Sequence, residues 1–94
     1  MKLSVYYTRH FGERVQQRIR GSNKAPEKIL ASLRHYKLYR NSNKELIITA
    51  NDDVYAILIA IHEKKLYAKT IIYTVSLSSY EFVEDCNVEW VSNE

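Results

Sequence analysis

An imidazole and two guanidiniums recur at four-residue steps near the start of the chain. His10, Arg14 and Arg18 would lie about one turn apart on a helix and form one ridge along it; we call them the basic ridge. An imidazole exchanges a proton near neutral pH, and a guanidinium binds phosphate oxygens with a fork of N–H donors. The pattern therefore predicts phosphodiester chemistry or phosphate binding, and the ordinary alternative is a solvated helix flank.

The stretch around the ridge predicts the helix that carries it. Phe11, Val15 and Ile19 recur every fourth residue, which is the apolar stripe of an amphipathic helix. Thr8 is suited to cap its start, and Gly21 is suited to its C-terminal end. Because the ridge adjoins the apolar stripe, we expect its side chains at the edge of a sheet on which the helix packs.

Metal-independent RNA cleavage needs both kinds of group that the ridge supplies. The 2′-hydroxyl attacks the adjacent phosphorus, so a base must take its proton, and cations must stabilise the charge on the phosphoryl oxygens. The sequence predicts His10 as general base or acid, with Arg14 and Arg18 as the phosphate clamp. His35 and His62 are interpreted as ordinary surface residues.

No metal site or cofactor is predicted. Three scattered His residues and the single Cys86 lack the spacing of a zinc site, and the chain has no glycine-rich phosphate loop. One cysteine favours a reducing cytoplasm. The longest apolar run, from Val54 to Ile61, is too short to span a membrane.

The rest of the chain predicts a second helix followed by strands. Pro26 suits the first turn of a helix that runs to about Arg34, and the hydrophobic period then changes from about four to two. Strands are predicted at 36–40, 45–50, 54–61 and 66–77, and the segments 81–84 and 88–91 are candidates for one more strand each. Short turns make consecutive strands antiparallel. The expected fold class is therefore α+β, with two N-terminal helices packed on one face of a four- to five-stranded antiparallel sheet.

The length of 94 residues predicts a single domain. Its expected parts are a basic helical part at 1–35, an antiparallel meander at 36–77 and an acidic tail at 78–94. The run from Leu3 to Tyr7 is too short to assign either to a strand or to the lead-in of the helix. An uninterrupted alternation is expected from Leu66 to Leu77, with Tyr67 and Ile71 on one face and Ala68 on the other.

Charge divides the chain into two halves. Residues 1–44 carry eleven Lys or Arg and two Asp or Glu, a net +9, whereas residues 45–94 carry three and nine, a net −6. A basic half favours a polyanionic partner, most simply RNA, and its cations are expected to attract the phosphate backbone in a salt-dependent way. The predicted contacts outside the ridge are Arg9, Gln17, Arg20, Lys24, Lys28, Arg34, Lys37, Arg40 and Lys44.

Three segments resemble the small ribonuclease domains of the BECR superfold, the group that contains barnase, EndoU, colicin-type tRNases and RelE-like toxins. They are the opening YTRHFGERVQQRI, the second helix APEKILASL and the strand end TIIYTV, and the likeness covers roughly residues 6–76. It implies a toxin-like endoribonuclease with His10 as the catalytic histidine and Arg14 and Arg18 as phosphate contacts. It also implies that Thr74 is a polar group presented from the sheet. The basic linker between the helices and the acidic tail depart from the pattern.

Two other classes of function stay open. One is a non-catalytic regulator or inhibitor encoded by a phage or plasmid, which binds a nucleic acid or a protein such as an antitoxin or a host target. The other is a DNA-binding regulator that uses the two helices. Neither helix, however, has an evident face for reading bases that is not also needed to pack against the core.

Three further features have alternative interpretations. The run from Val54 to Ile61 is apolar on both faces, which favours a homodimer with the second sheet face or an edge of the sheet as the interface. The acidic tail is either an edge strand or a segment that docks on the basic half and imitates a nucleic acid. Four strand tyrosines are interpreted as half-buried residues rather than as a platform for stacked bases. They are Tyr36, Tyr39, Tyr67 and Tyr73.

Overall fold

The computed structural model describes residues 1–19, 23–74 and 76–93. Two helices and six strands make up this part of the chain, and strand residues outnumber helical ones. In chain order the elements are β1 (Lys2–Tyr7), α1 (Arg9–Arg18), α2 (Pro26–Ser32), β2 (Tyr36–Asn41), β3 (Leu46–Ala50), β4 (Tyr55–His62), β5 (Lys65–Tyr73) and β6 (Tyr80–Ser92).

The six strands close into a barrel in the order β1-β5-β4-β3-β2-β6. The four strands from β2 to β5 follow one another as antiparallel neighbours, as their short connections predict. β1 lies between β5 and β6 and is parallel to both. The two helices connect β1 to β2, which are not neighbours in the barrel.

The prediction of an open sheet of four or five strands is wrong, because the acidic tail completes a closed barrel of six strands. The tail forms one long strand, β6, rather than two short ones. Its first half, Tyr80–Cys86, pairs with β2, and its second half, Asn87–Ser92, pairs with β1. The tail is therefore an internal strand of the barrel rather than an edge strand, and both of its partner strands lie in the basic half.

The alternation of β6 explains how an acidic segment forms a barrel strand. Cys86 is buried and Trp90 is partly buried, whereas Asp85 and Glu89 between and beside them are exposed. From Asp85 to Trp90 the charges therefore occupy the outer face, and the apolar side chains face the interior. Trp90 stacks on Phe11 of α1, with ring centroids 5.8 Å apart and an interplanar angle of 21°.

α1 is held by the capping and packing that the sequence predicts. The Phe11 N–H donates to Thr8 Oγ1 at 3.4 Å, so Thr8 caps the helix. Phe11 and Val15 are almost completely buried, which confirms the apolar stripe at these two positions. The helix ends at Arg18, and Gly21, the predicted C-terminal residue, lies outside the described residues.

α2 packs closely against α1 at a glycine. A Cβ atom on Gly12 would lie 3.1 Å from the Cβ atom of Pro26, which is closer than ordinary van der Waals contact. The missing side chain lets the two helices approach. Ile29 and Leu30 of α2 are then buried in the core of the barrel.

A bulge in β5 breaks the alternation that the sequence predicts for this strand. The register with β4 shifts so that Lys69 is an extra residue between two paired positions. Ala68 and Ile71 consequently both belong to the core, although an uninterrupted alternation puts them on opposite faces. The strand also ends at Tyr73 rather than at Leu77.

The first half of β4 is covered on both faces by this chain. Ile57 lies in the core, and Ala56 is buried on the other face, paired with Thr49 of β3. These positions therefore give no support to the predicted homodimer. Val54 and Ile61, at the two ends of the apolar run, are 47% and 60% exposed.

Candidate nucleic-acid interface

α1 lies along the part of β5 that extends past β1. In the described part of the chain, β1 pairs with β5 at Leu66 and Tyr67 alone, whereas β5 continues to Tyr73. Along this extension, Arg18 Nη1 donates a hydrogen bond to the main-chain oxygen of Ile71 at 3.2 Å. The guanidinium thus satisfies a carbonyl that β1 does not reach and fastens the end of α1 to the sheet.

The three residues of the basic ridge differ in exposure and contacts. His10 is exposed in the first turn of α1, and Arg14 is partly exposed one turn further. Neither side chain makes a hydrogen bond or an ion pair with another described residue. Arg18 is partly buried and has one N–H engaged by the sheet. His10 and Arg14 are therefore the two side chains of the basic ridge that are most available to bind a ligand.

A cleft of about 640 Å³ opens beside His10, between the start of α1 and the β4–β5 hairpin; we call it the hairpin cleft. No Asp or Glu is among its described lining residues. A carboxylate close by is that of Glu63, whose Oε1 lies 3.8 Å from His62 Nε2. The lining consists of Thr8, His10, Ala60, Ile61, His62, Tyr67, Ala68 and Lys69. The lining therefore contains two imidazoles and one lysine.

Three aromatic rings lie together at the hairpin side of the cleft. The ring centroid of Tyr67 is 5.6 Å from that of Tyr6 and 6.4 Å from that of His62. We call these three residues the aromatic cluster. Lys65 Nζ lies 5.2 Å from the centroid of the Tyr6 ring, within the range of a cation–π interaction.

The hairpin turn places His62 beside Tyr67. Glu63 and Lys64 are the two turn residues, with φ angles of 50° and 65°. Positive φ at both central residues is the geometry of a type I′ turn, which matches the twist of the flanking strands. His62 therefore pairs with Lys65 across the turn, and its ring meets that of Tyr67.

The structure does not bring Thr74 to His10. Thr74 follows the end of β5, three residues beyond the carbonyl that Arg18 binds, and its N–H donates to the oxygen of Val54 at 3.0 Å. His10 lies at the other end of the ridge, about 12 Å from Arg18 along the helix. The Thr74 hydroxyl is buried and has no hydrogen-bond partner among the described residues.

The predicted nucleic-acid contacts on and near the helices lie at the surface, and Arg34 makes hydrogen bonds to the chain itself. Arg34 Nη1 donates to the main-chain oxygens of Ala31 at 3.0 Å and Leu33 at 3.5 Å. Arg20 lies outside the described residues. The exposed members of this group are Arg9, Gln17, Lys24, Lys28 and Arg34.

The contacts predicted on β2 lie on another side of the barrel. β2 and β5 are three places apart in the ring of six strands, so Lys37 and Arg40 do not share a face with the hairpin cleft. Lys37 Nζ also lies 3.5 Å from Asp53 Oδ2. The negative charge of Asp53 raises the pKa of Lys37, and this lysine is therefore committed to an ion pair.

His62, Tyr67 and Lys69 are cleft residues that the sequence did not assign to a site. His62 is exposed, as interpreted from the sequence, but it also lines the hairpin cleft. The predicted strands on either side of the turn already imply that His62 and Tyr67 lie close together across a hairpin. No sequence signal indicates the bulge at Lys69, because it depends on the register between two strands.

Comparison with known proteins adds no family to these observations. No family model matches the chain, and searches of curated proteins and of solved structures give no significant match. Among residues 1–19, 23–74 and 76–93, no group of three His, Cys, Asp or Glu side chains has an arrangement that could hold a metal ion. Over the same ranges, neither helix has the length and apolar character needed to cross a membrane.

Proposed function

We propose that the protein binds RNA and cleaves it without a metal ion, with His10 in proton transfer and Arg14 as the principal phosphate contact. The observation that carries the proposal is an exposed imidazole one helical turn from a guanidinium that no described residue engages, beside a cleft whose described lining has no carboxylate. Such surroundings attract a polyanion. The likeness of three segments to BECR ribonucleases supports the same activity.

The proposed reaction is attack of the ribose 2′-oxygen on the adjacent phosphorus. One imidazole takes the 2′-hydroxyl proton, the bond between phosphorus and the 5′-oxygen breaks, and a second group gives that oxygen a proton. The products are a 2′,3′-cyclic phosphate and a 5′-hydroxyl end. His62 lines the same cleft as His10 and supplies the second imidazole, while Arg14 stabilises charge on the phosphoryl oxygens.

Arg18 and Thr74 differ in the roles that we assign to them. Arg18 holds α1 against β5 through one N–H, and its other N–H donors remain available to a phosphate. Thr74 has no role in the proposed proton transfer, because its hydroxyl is buried at the end of the ridge away from His10.

The test is cleavage of a mixed pool of tRNA and single-stranded RNA in EDTA. His10→Ala is expected to lower the rate by about 10²–10⁴-fold, the usual contribution of one proton-transfer group. His35→Asn is the matched control and should stay within about twofold of wild type. His35 lies between α2 and β2 with a φ of 55°, a conformation that Asn tolerates.

Three results would contradict the proposal. They are equal cleavage by wild type and His10→Ala, cleavage of a strand whose ribose 2′-hydroxyls are all replaced by hydrogen, and an inactive wild-type protein. A cyclic phosphate at the new 3′ end, read by mass spectrometry, is the expected product.

A protein-binding role is the second candidate, supported by exposed apolar residues on β6. Phe82 is 53% exposed and Val83 37% exposed. The Phe82 ring forms a T-shaped contact with the Tyr39 ring, with ring centroids 5.7 Å apart. Exposed apolar neighbours of this kind are common at protein interfaces. This candidate predicts that Phe82→Ser loses a partner that wild type and Ile61→Ser both retain in a quantitative pull-down.

A further inference from the structure

The packing of the barrel interior does not account for the position of the aromatic cluster. Tyr7 and Tyr36 belong to the core, whereas neither Tyr6 nor Tyr67 does. Tyr67 is nevertheless held by contacts on two sides, with Tyr6 and His62, and it lines the hairpin cleft. A partly exposed and positioned ring in a cleft suits a planar ligand that stacks on it.

Lysines lie before and after this ring on β5. Lys65 is placed over Tyr6, which adjoins Tyr67. Lys69 reaches the cleft lining at the bulge, and bulges commonly redirect a side chain next to a functional site. Two cations on the strand that carries the Tyr67 ring match a nucleotide, in which a planar base is joined to a negatively charged backbone.

We propose that the hairpin cleft binds an unpaired nucleobase of single-stranded RNA, stacked on Tyr67, with the neighbouring phosphates held by Lys65 and Lys69. This inference rests on the proposed function, because it brings the RNA backbone to His10. The bases of a duplex are already stacked on one another and present no open face to a side chain. The site therefore selects single strands, loops or bulges over duplex RNA.

The experiment measures RNA binding by the full chain in EDTA, in a His10→Ala background that keeps the RNA intact. The probes are a fluorescein-labelled single strand of ten nucleotides and a hairpin duplex of the same composition, followed by anisotropy. Tyr67→Leu is expected to weaken binding of the single strand about 5- to 150-fold, since a stacked base contributes ~1–3 kcal/mol. Tyr67→Phe keeps the ring and should bind within about threefold of the unsubstituted protein.

Tyr73→Leu is the matched control. Tyr73 lies on the same strand and is 45% exposed, but its ring contacts Tyr55 at 5.3 Å at the far end of β5. Its substitution should change the affinity by less than about twofold. An equal loss of affinity for the single strand in Tyr67→Leu and Tyr73→Leu, or no loss of affinity in either variant, would overturn the inference.

A second measurement needs no substitution at Tyr67. A single strand with 2-aminopurine at its centre should lose fluorescence on binding, because stacking on an aromatic ring quenches this base. Unchanged fluorescence at saturation, or tighter binding of the duplex than of the single strand, would count against the site even if Tyr67→Leu failed to fold.

The outcomes separate this inference from the proposed function. Binding that depends on Tyr67, together with an inactive wild-type protein, keeps the nucleobase site and overturns cleavage. Cleavage that is lost in His10→Ala but unaffected by Tyr67→Leu keeps the function and overturns the nucleobase site.

Discussion

Arg14 and Arg18 carry the same charge in different surroundings, and their substitutions should separate folding from binding. Arg18→Ala removes the hydrogen bond to Ile71 and should lower the free energy of unfolding by about 1 kcal/mol. Arg14→Ala removes no hydrogen bond or ion pair with a described residue and should stay within about 0.5 kcal/mol of wild type. Urea unfolding of both variants is the measurement, and a greater loss in Arg14→Ala would contradict the assignment of Arg18 as the tether of α1.

Asp53 is the acceptor at the centre of a polar network outside the cleft. The Thr49 hydroxyl donates to it at 2.6 Å, the Tyr39 hydroxyl at 3.1 Å and Lys37 Nζ at 3.5 Å. Burial opposes the charged carboxylate, but these hydrogen bonds and the charge of Lys37 outweigh burial and lower the pKa of Asp53. A lowered pKa in the folded protein stabilises the fold above the unfolded value of about 4, and this contribution is lost as the pH falls further.

Asp53→Asn should therefore flatten the acid dependence of stability. Between about pH 4 and pH 2 its free energy of unfolding should fall less steeply than that of wild type. At pH 7 the variant should be less stable by about 1–2 kcal/mol, because it loses charged hydrogen bonds. The control is Asp52→Asn at the exposed neighbour, which should keep the wild-type slope; a wild-type slope in Asp53→Asn would refute the role of the network.

At the scale of elements, the β4–β5 hairpin is closed by residues that are unusual for its turn. Lys64 has a φ of 65°, a left-handed conformation that glycine adopts without the Cβ penalty. Lys64→Gly should raise the free energy of unfolding by about 0.5–1 kcal/mol and the melting temperature by a few degrees. Lys65→Gly, within β5, should lower both. Destabilisation by both glycines in thermal unfolding would show that the turn is unstrained.

At the scale of the whole molecule, β6 determines whether the sheet is closed. It pairs with β1 and with β2, and it supplies Trp90, which stacks on Phe11 and donates to the Tyr36 hydroxyl at 3.0 Å. The barrel therefore depends on the segment with the most acidic composition in the chain.

A chain that ends at residue 79 should have no cooperative unfolding transition by circular dichroism, because β1 and β2 each lose one of their two neighbouring strands and the core loses its contact with Trp90. A chain that ends at Ser92 loses only the last two residues, including the hydrogen bond from the Asn93 N–H to Tyr7, and should unfold cooperatively. Cooperative unfolding of the shorter chain near the wild-type midpoint would show that β6 is dispensable.

Features that depend on neighbouring residues were predictable from the sequence alone. The Thr8 cap and the spacing of the basic ridge follow from helix geometry over a few residues. The positions of β2 to β5, to within a few residues at most ends, follow from the period of the apolar side chains. These preferences act over short distances, so the sequence contains them without any knowledge of the fold.

The tertiary structure decided the closure of the barrel, the bulge at Lys69 and the composition of the cleft. Closure joins β1 to β6 from opposite ends of the chain, and the bulge depends on the register between two strands. Arg18 binds a carbonyl more than fifty residues away, so its spacing from His10 does not reveal that contact. Each of these features is set by pairing and packing between distant segments, which a local pattern does not contain.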